Sequence, residues 1–325
     1  MHEIELTWGF PVIWYLYLAG VGAGALTTSA ALLLRGGREE RYFHIARYGA
    51  FLAAPLVIIG TGLLVFEMGS FQTGQWFKFL NLFKVINNSP MSIGSWLLVL
   101  FVLGSIPYSY TFLGKDAGPG DNLHRVRRLL AWIGIPIGIA VAVYTGVLLG
   151  AMPARPFWNS PILALIFLLS ALSTGMAALI MVDILVNIRK SKDEAMQSES
   201  HEANYIMTST DTIFISLELL AIFLFIMYAH LTVSDPIEAI KVIIWGGELA
   251  TTFWFWVVFV GLLLPITIEL YNIMPRLLGI KSEANIPVQW LPTTHLVVAS
   301  VVLLGGFMLR YVIVVAGQIT GPIGL

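Results

Sequence analysis

Long apolar runs separated by short polar stretches set the pattern of this chain. A bilayer core is crossed by about 20 apolar residues in a helix. On that ruler the runs predict eight spanning helices: Phe10–Leu34, Ala50–Phe66, Ser92–Tyr110, Leu129–Leu149, Ile162–Ile184, Thr212–Leu231, Leu249–Tyr271 and Leu296–Ala316. Backbone N–H and C=O groups inside lipid must be bonded within the segment, so each run reads as helix. The expectation is an all-α integral membrane protein with little mass outside the bilayer.

Composition agrees. Of 325 residues, 58% are hydrophobic and 11% charged, and the mean hydropathy is +0.83. A soluble domain carries about 25% charged residues. The net charge of −1 gives no reason to expect a nucleic-acid partner. The chain has no cysteine, which excludes disulfides, thiolate zinc sites and iron–sulfur clusters held by this chain. The first residues lack the basic segment of a signal peptide, so the first run reads as a span.

Charge sets the orientation. Thirteen of the 18 Lys and Arg residues fall in the loops after spans one, three, five and seven. Four, Lys78, Lys84, Arg155 and Lys241, fall on the opposite side, and Arg310 lies within span eight. The positive-inside rule then places both termini outside, in a periplasm. The polar stretch 189–204 reads as an inner connector between a first region, 1–188, and a second, 205–325.

Gly20, Gly22 and Gly24 in span one predict close helix packing. Phe71–Asn88 and Pro236–Trp245 read as segments lying in the outer interface, for membrane seating or for docking an outer subunit. The stretches Asn88-Ser89-Pro90 and Asn159-Ser160-Pro161 each follow an outgoing helix and precede a returning one. They suggest a parallel repeat with two outer corners bounding a cleft. The second corner, Tyr144–Pro161, concentrates polar groups at a membrane boundary and reads as one wall of an outer binding site.

Ionisable residues at membrane depth are functional candidates. Glu67 ends span two at the depth of Tyr15, Tyr144 and the corners, where an acid beside a ligand is expected. Arg310 needs a partner, and Glu248 is a candidate for a structural ion pair. Asp183, Asp211, Glu218 and Glu269 lie toward the inner side and suggest a proton-conducting half-path from the cytoplasm. The six histidines supply no two facing positions at one depth within spans, so a haem is disfavoured and no metal site is expected.

The chain resembles the NrfD/PsrC family of membrane subunits from polysulfide-reductase-type and nitrite-reductase-type complexes. The resemblance rests on Phe10-Pro11…Tyr15…Gly20…Gly24, on Glu67…Asn88-Ser89-Pro90-Met91-Ser92…Gly94…Trp96, on Tyr144-Thr145-Gly146…Arg155-Pro156-Phe157-Trp158-Asn159, and on Leu309-Arg310…Ala316-Gly317-Gln318. It implies eight helices in two four-helix bundles in a bacterial inner membrane. It also implies a quinol site on the periplasmic side of the first bundle, with menaquinone or ubiquinone as an exchangeable substrate. A periplasmic subunit with four iron–sulfur clusters would dock outside, with a molybdopterin or multihaem subunit beyond it. In the family, residues at the positions of Tyr15, Glu67 and Tyr144 line the quinone pocket. Ser89, Ser92 and Asn159 of the corners join them as candidate quinone contacts, with Glu67 and Tyr144 as the catalytic pair. This sequence departs from the polysulfide-reductase pattern, which has His at the Tyr15 position and Asn where Val12 stands, so head-group hydrogen bonds differ. A proton-coupled transporter without redox chemistry, or a passive anchor with no working quinone site, are the rival readings.

Overall fold

A computed structural model describes residues 8–37, 40–67, 89–114, 118–190, 194–232, 235–277 and 292–321. The helices run in this order: α1 (Phe10–Arg35), α2 (Phe43–Glu67), α3 (Pro90–Tyr110), α4 (His124–Gly150), α5 (Ile162–Lys190) and α6 (Glu194–Leu231). A short α7 (Asp235–Ile240) follows, then a π-helical segment (Thr252–Leu263) continuing into α8 (Leu264–Leu277), and finally α9 (Pro292–Ile319). Among the described residues, eight helices are long and apolar enough to cross a membrane. The expected segment Phe71–Asn88 lies outside the described residues. Pro236–Trp245 is α7 and the turn after it, with Ala239, Ile240 and Ile243 buried and Trp245 exposed. An aromatic residue exposed beside an apolar seat suits an interfacial segment.

Local chemistry explains several helix starts. Pro11 sits in the first turn of α1, where its missing N–H leaves no bond unmade. Ser89 caps α3 by accepting from the Ser92 N–H at 3.3 Å, and Pro90 follows it. Ser160 accepts from the Ile162 N–H at 3.3 Å at the start of α5. The two Ser-Pro corners thus share one capping chemistry.

Part of the polar stretch 189–204 is helical. Helix α6 begins at Glu194, and its 38 residues run through that stretch and across the apolar span. Glu, Ala, Met and Gln are good helix formers, and the apolar periodicity that would reveal a helix is missing there.

Helices α1 and α5 are buried along most of their length, and the others turn one face outward. They meet where Gly24 opposes Gly175, and a Cβ on Gly24 would land on the Ala171 carbonyl. Small residues allow this approach and the dispersion contact it brings. Gly22 faces Val57 and Ala53 of α2, so the glycines of span one serve two interfaces.

At the N-terminal end of α1, the first and last described segments come together. The Trp8 N–H donates to Gln318 Oε1 at 2.8 Å, and Gln318 Nε2 donates back to the Trp8 carbonyl at 3.1 Å. Both segments therefore lie on one face, here termed the end face; the α1–α2 loop marks the loop face. On the loop face Arg127 is fully buried between the rings of Phe43 and Phe112, 4.7 and 4.9 Å from their centroids. It donates to Glu40 at 2.5 Å, to Asp121 at 2.8 Å and to the Thr111 carbonyl at 2.7 Å. Burial pushes the Glu40 carboxyl above its usual range, while Arg127 pulls it partly back. Next along the chain, Arg41 and Tyr42 both reach Glu202 of α6. Three consecutive residues thereby tie the α1–α2 loop to α4 and to α6.

Candidate functional site

Near the end face, α1 and α4 each bring a tyrosine to one place. Tyr15 is fully buried and Tyr144 nearly so. Their hydroxyls are neighbours, yet the Tyr15 hydroxyl has no hydrogen-bond partner of normal geometry among the described residues. A buried hydroxyl without a partner carries a desolvation cost of roughly 1–3 kcal/mol. An incoming polar ligand would remove that cost. Gly94 of α3 makes the room: a Cβ there would fall inside the Tyr144 ring and on its hydroxyl. Ser92, two residues earlier, is buried on the same helix.

Glu67 is half-buried at the end of α2, and its Oε1 accepts from the Gly9 N–H at 2.7 Å. Gly9 is the N-cap position of α1, so Glu67 supplies the negative charge that the positive end of α1 favours. Tyr15 lies six residues further along α1, about 9 Å at 1.5 Å per residue. The site is therefore layered, with the carboxylate at the rim and the phenols below it.

The remaining corner residues take other places. Ser89 is exposed and engaged as a helix cap. The Asn159 side chain is exposed on the turn, not buried with the tyrosines, because the turn directs Phe157 and Trp158 inward instead. Trp158 donates its indole N–H to the Ile313 carbonyl at 2.7 Å and stacks on Trp8 at 5.2 Å. Arg155 donates to the Gln318 carbonyl at 2.9 Å. The Tyr144–Pro161 corner is thus fastened to the end of α9 and to the N-terminal segment. Trp8 and Gln318 were not among the expected site residues, and nothing local in the sequence signals a bond across the whole chain.

A second polar region lies deeper. The expected pair of Arg310 with Glu248 is not formed: Glu248 is exposed on the turn after α7, whereas Arg310 is fully buried. Arg310 Nη1 donates to Ser170 Oγ at 3.0 Å and to the Gly306 carbonyl at 2.6 Å. Its guanidinium lies over Phe167 and Tyr17, and Gly20 leaves it space. The acid in its field is Glu218, which also faces Ser170. Depth can be counted along a sequence, but direction around the helix axis cannot, and Arg310 points toward α5 and α6. Asp211 and Glu269, far apart in sequence, face each other; Thr212 donates to Glu269 at 2.9 Å. Asp183 accepts from Asn204 at 2.9 Å. The four acids Asp183, Asp211, Glu218 and Glu269 thus fall into one region between α5, α6 and α8. No group of three or more His, Cys, Asp or Glu suited to a metal is found among the described residues.

The polysulphide reductase NrfD family matches residues 1–322. The chain belongs to this family. Curated relatives bear it out. The chain is 27% identical to a polysulfide reductase chain of Wolinella succinogenes, over 96% of this chain and 95% of the relative. It is 26% identical to protein NrfD of Escherichia coli, over 98% and 97%. It is 21% identical to a selenate reductase subunit of Mesobacillus selenatarsenatis, over 82% and 67%. This NrfD-family chain is a multi-pass protein of the bacterial inner membrane and a membrane subunit of the reductase-complex type.

Proposed function

We propose that this chain exchanges electrons between a quinol in the membrane, menaquinol first, and a periplasmic iron–sulfur subunit that it anchors. The end face is then the periplasmic side, and α1–α4 form one four-helix bundle with the remaining spans forming the second. The observation that carries the reading is the meeting of Tyr15 and Tyr144 beneath Gly94, with one buried hydroxyl unpartnered among the described residues. Oxidising a quinol removes two electrons and two protons. A phenol can donate to a quinone oxygen or accept from a quinol hydroxyl, which suits both redox forms of the head group. Glu67 at the rim stands where a released proton would leave toward the end face. Apolar walls accommodate the isoprenoid tail. The electrons leave to a cluster of the partner, in keeping with a chain that has no cysteine. A catalytic molybdopterin or multihaem subunit beyond the iron–sulfur subunit completes the assembly.

The test is binding of a quinol-like inhibitor to the purified chain, followed by quenching of tryptophan fluorescence. Tyr144→Phe should weaken saturable binding about tenfold, the worth of one hydrogen bond, about 1.4 kcal/mol. Saturable binding untouched by both Tyr144→Phe and Tyr15→Phe would move the head group elsewhere. Absence of saturable binding in the wild type would leave an anchor or a transporter.

A further inference from the structure

The second polar region has a pattern that the quinol reading does not use. Along α6, positions 204, 208, 211, 215 and 218 alternate steps of four and three, which places them on one face. Asn204, Thr208, Asp211, Ile215 and Glu218 are all buried. Among the described residues, Asn204 Oδ1, Thr208 Oγ1 and Asp211 Oδ1 have no hydrogen-bond partner, and neither have Nε and Nη2 of Arg310. The three orphaned atoms on α6 share that face, and with Arg310 in the field of Glu218 they mark a track of about 21 Å along α6, from Asn204 to the level of Glu218. Buried polar atoms are nearly always satisfied, and internal water satisfies them where two to four polar partners converge.

The track has one apolar break. Ile215 stands between Asp211 and Glu218, which are about 10 Å apart along the helix. Helix α5 bridges the break: the Ser173 hydroxyl faces Asp211, and Ser170, one turn away, faces Glu218. Ser170 accepts from Arg310 at 3.0 Å, so its own proton is free to be given to Glu218. Beyond Arg310 the neighbours are Tyr17, Phe167 and the backbone at Gly20. The guanidinium therefore closes the track with a positive charge, which repels a hydrated proton.

We propose that internal water fills this track and makes a proton path open to the loop face, running by Asn204, Thr208, Asp211, Ser173 and Ser170 to Glu218 and ending at Arg310. The step is a proton transfer only: a proton enters from loop-face water, hops along hydroxyls and water, and binds the Glu218 carboxylate, with no electron moved. The charged and titratable groups facing the track are Asp183 on α5, Asp211 and Glu218 on α6, Glu269 on α8, Arg310 on α9, and Tyr17 on α1. The proposal stands apart from the quinol reading, because its test uses no quinol.

The purified full chain is placed in liposomes, and vesicles of one orientation are selected by protease access to a tag at a chain end. The infrared band of the protonated Glu218 carboxyl is assigned by its loss in Glu218→Gln or its displacement in Glu218→Asp. In the wild type the band should follow a pH jump on the loop face and ignore one on the end face. Thr208→Val and Ser173→Ala keep size and remove a hydroxyl, and should slow the response about tenfold or more, as for one lost hydrogen-bonded link. A band that follows end-face pH, or follows neither side, overturns the path. So does a response as fast as wild type in both hydroxyl variants.

Discussion

Gly94→Ala tests the tyrosine site with a single methyl group. Alanine favours a helix interior over glycine by about 1 kcal/mol. Here the added Cβ would fall within the Tyr144 ring, so the phenol must swing away or the helices must part. Overpacking of this kind costs about 1–3 kcal/mol. The net effect on stability is therefore small, between about zero and 2 kcal/mol of loss. The effect on the site is larger, since the Tyr144 hydroxyl leaves its place beside Tyr15. Inhibitor binding should weaken about tenfold or more, with one or both head-group hydrogen bonds lost. Gly62→Ala is the control, because a Cβ there meets nothing within 4 Å. It should bind like wild type and melt slightly higher. Wild-type binding by Gly94→Ala, with the protein folded, would refute the assignment of the head group to Tyr144.

Other outcomes follow from the same geometry. Arg127→Leu removes one partner of a buried ion pair and should destabilise by about 3–5 kcal/mol, read from thermal unfolding in detergent. Because burial raises the Glu40 carboxyl, the folded chain takes up a proton there at higher pH than the unfolded chain. Stability should then rise as pH falls through the raised value toward the ordinary carboxylate range, and Glu40→Gln should abolish that slope in a pH series of melts. Trp158→Phe keeps an aromatic surface against Trp8 but removes the indole N–H bond to the Ile313 carbonyl. It should cost about 0.5–1.5 kcal/mol for the lost hydrogen bond and make the residue 150–161 corner more open to proteolysis.

The spans were legible because lipid leaves a backbone few choices. All eight apolar runs are helices, with ends moved by a few residues in most cases. The start of α6 was hidden because the sequence 194–204 carries no apolar stripe to announce a helix. Sequence could place Tyr15 and Tyr144 at one depth, but their meeting depends on how α1 packs on α4 and α4 on α3. The choice of Glu248 for Arg310 failed for a related reason: counting residues gives height in the membrane, while Ser170 and Glu218 were selected by rotation about α9. The bond between Trp8 and Gln318 crosses 310 positions and no local rule reaches that far.

That same bond bears on how the protein is handled. A change at Trp8 and a change at Gln318 break the same reciprocal pair of bonds, so the two positions are not independent controls. Both lie on the face where a partner is proposed to sit. A loss of complex assembly on substituting Gln318 with Leu should come with a loosened Trp8–Trp158 contact, read from tryptophan fluorescence, before it is assigned to a lost partner contact.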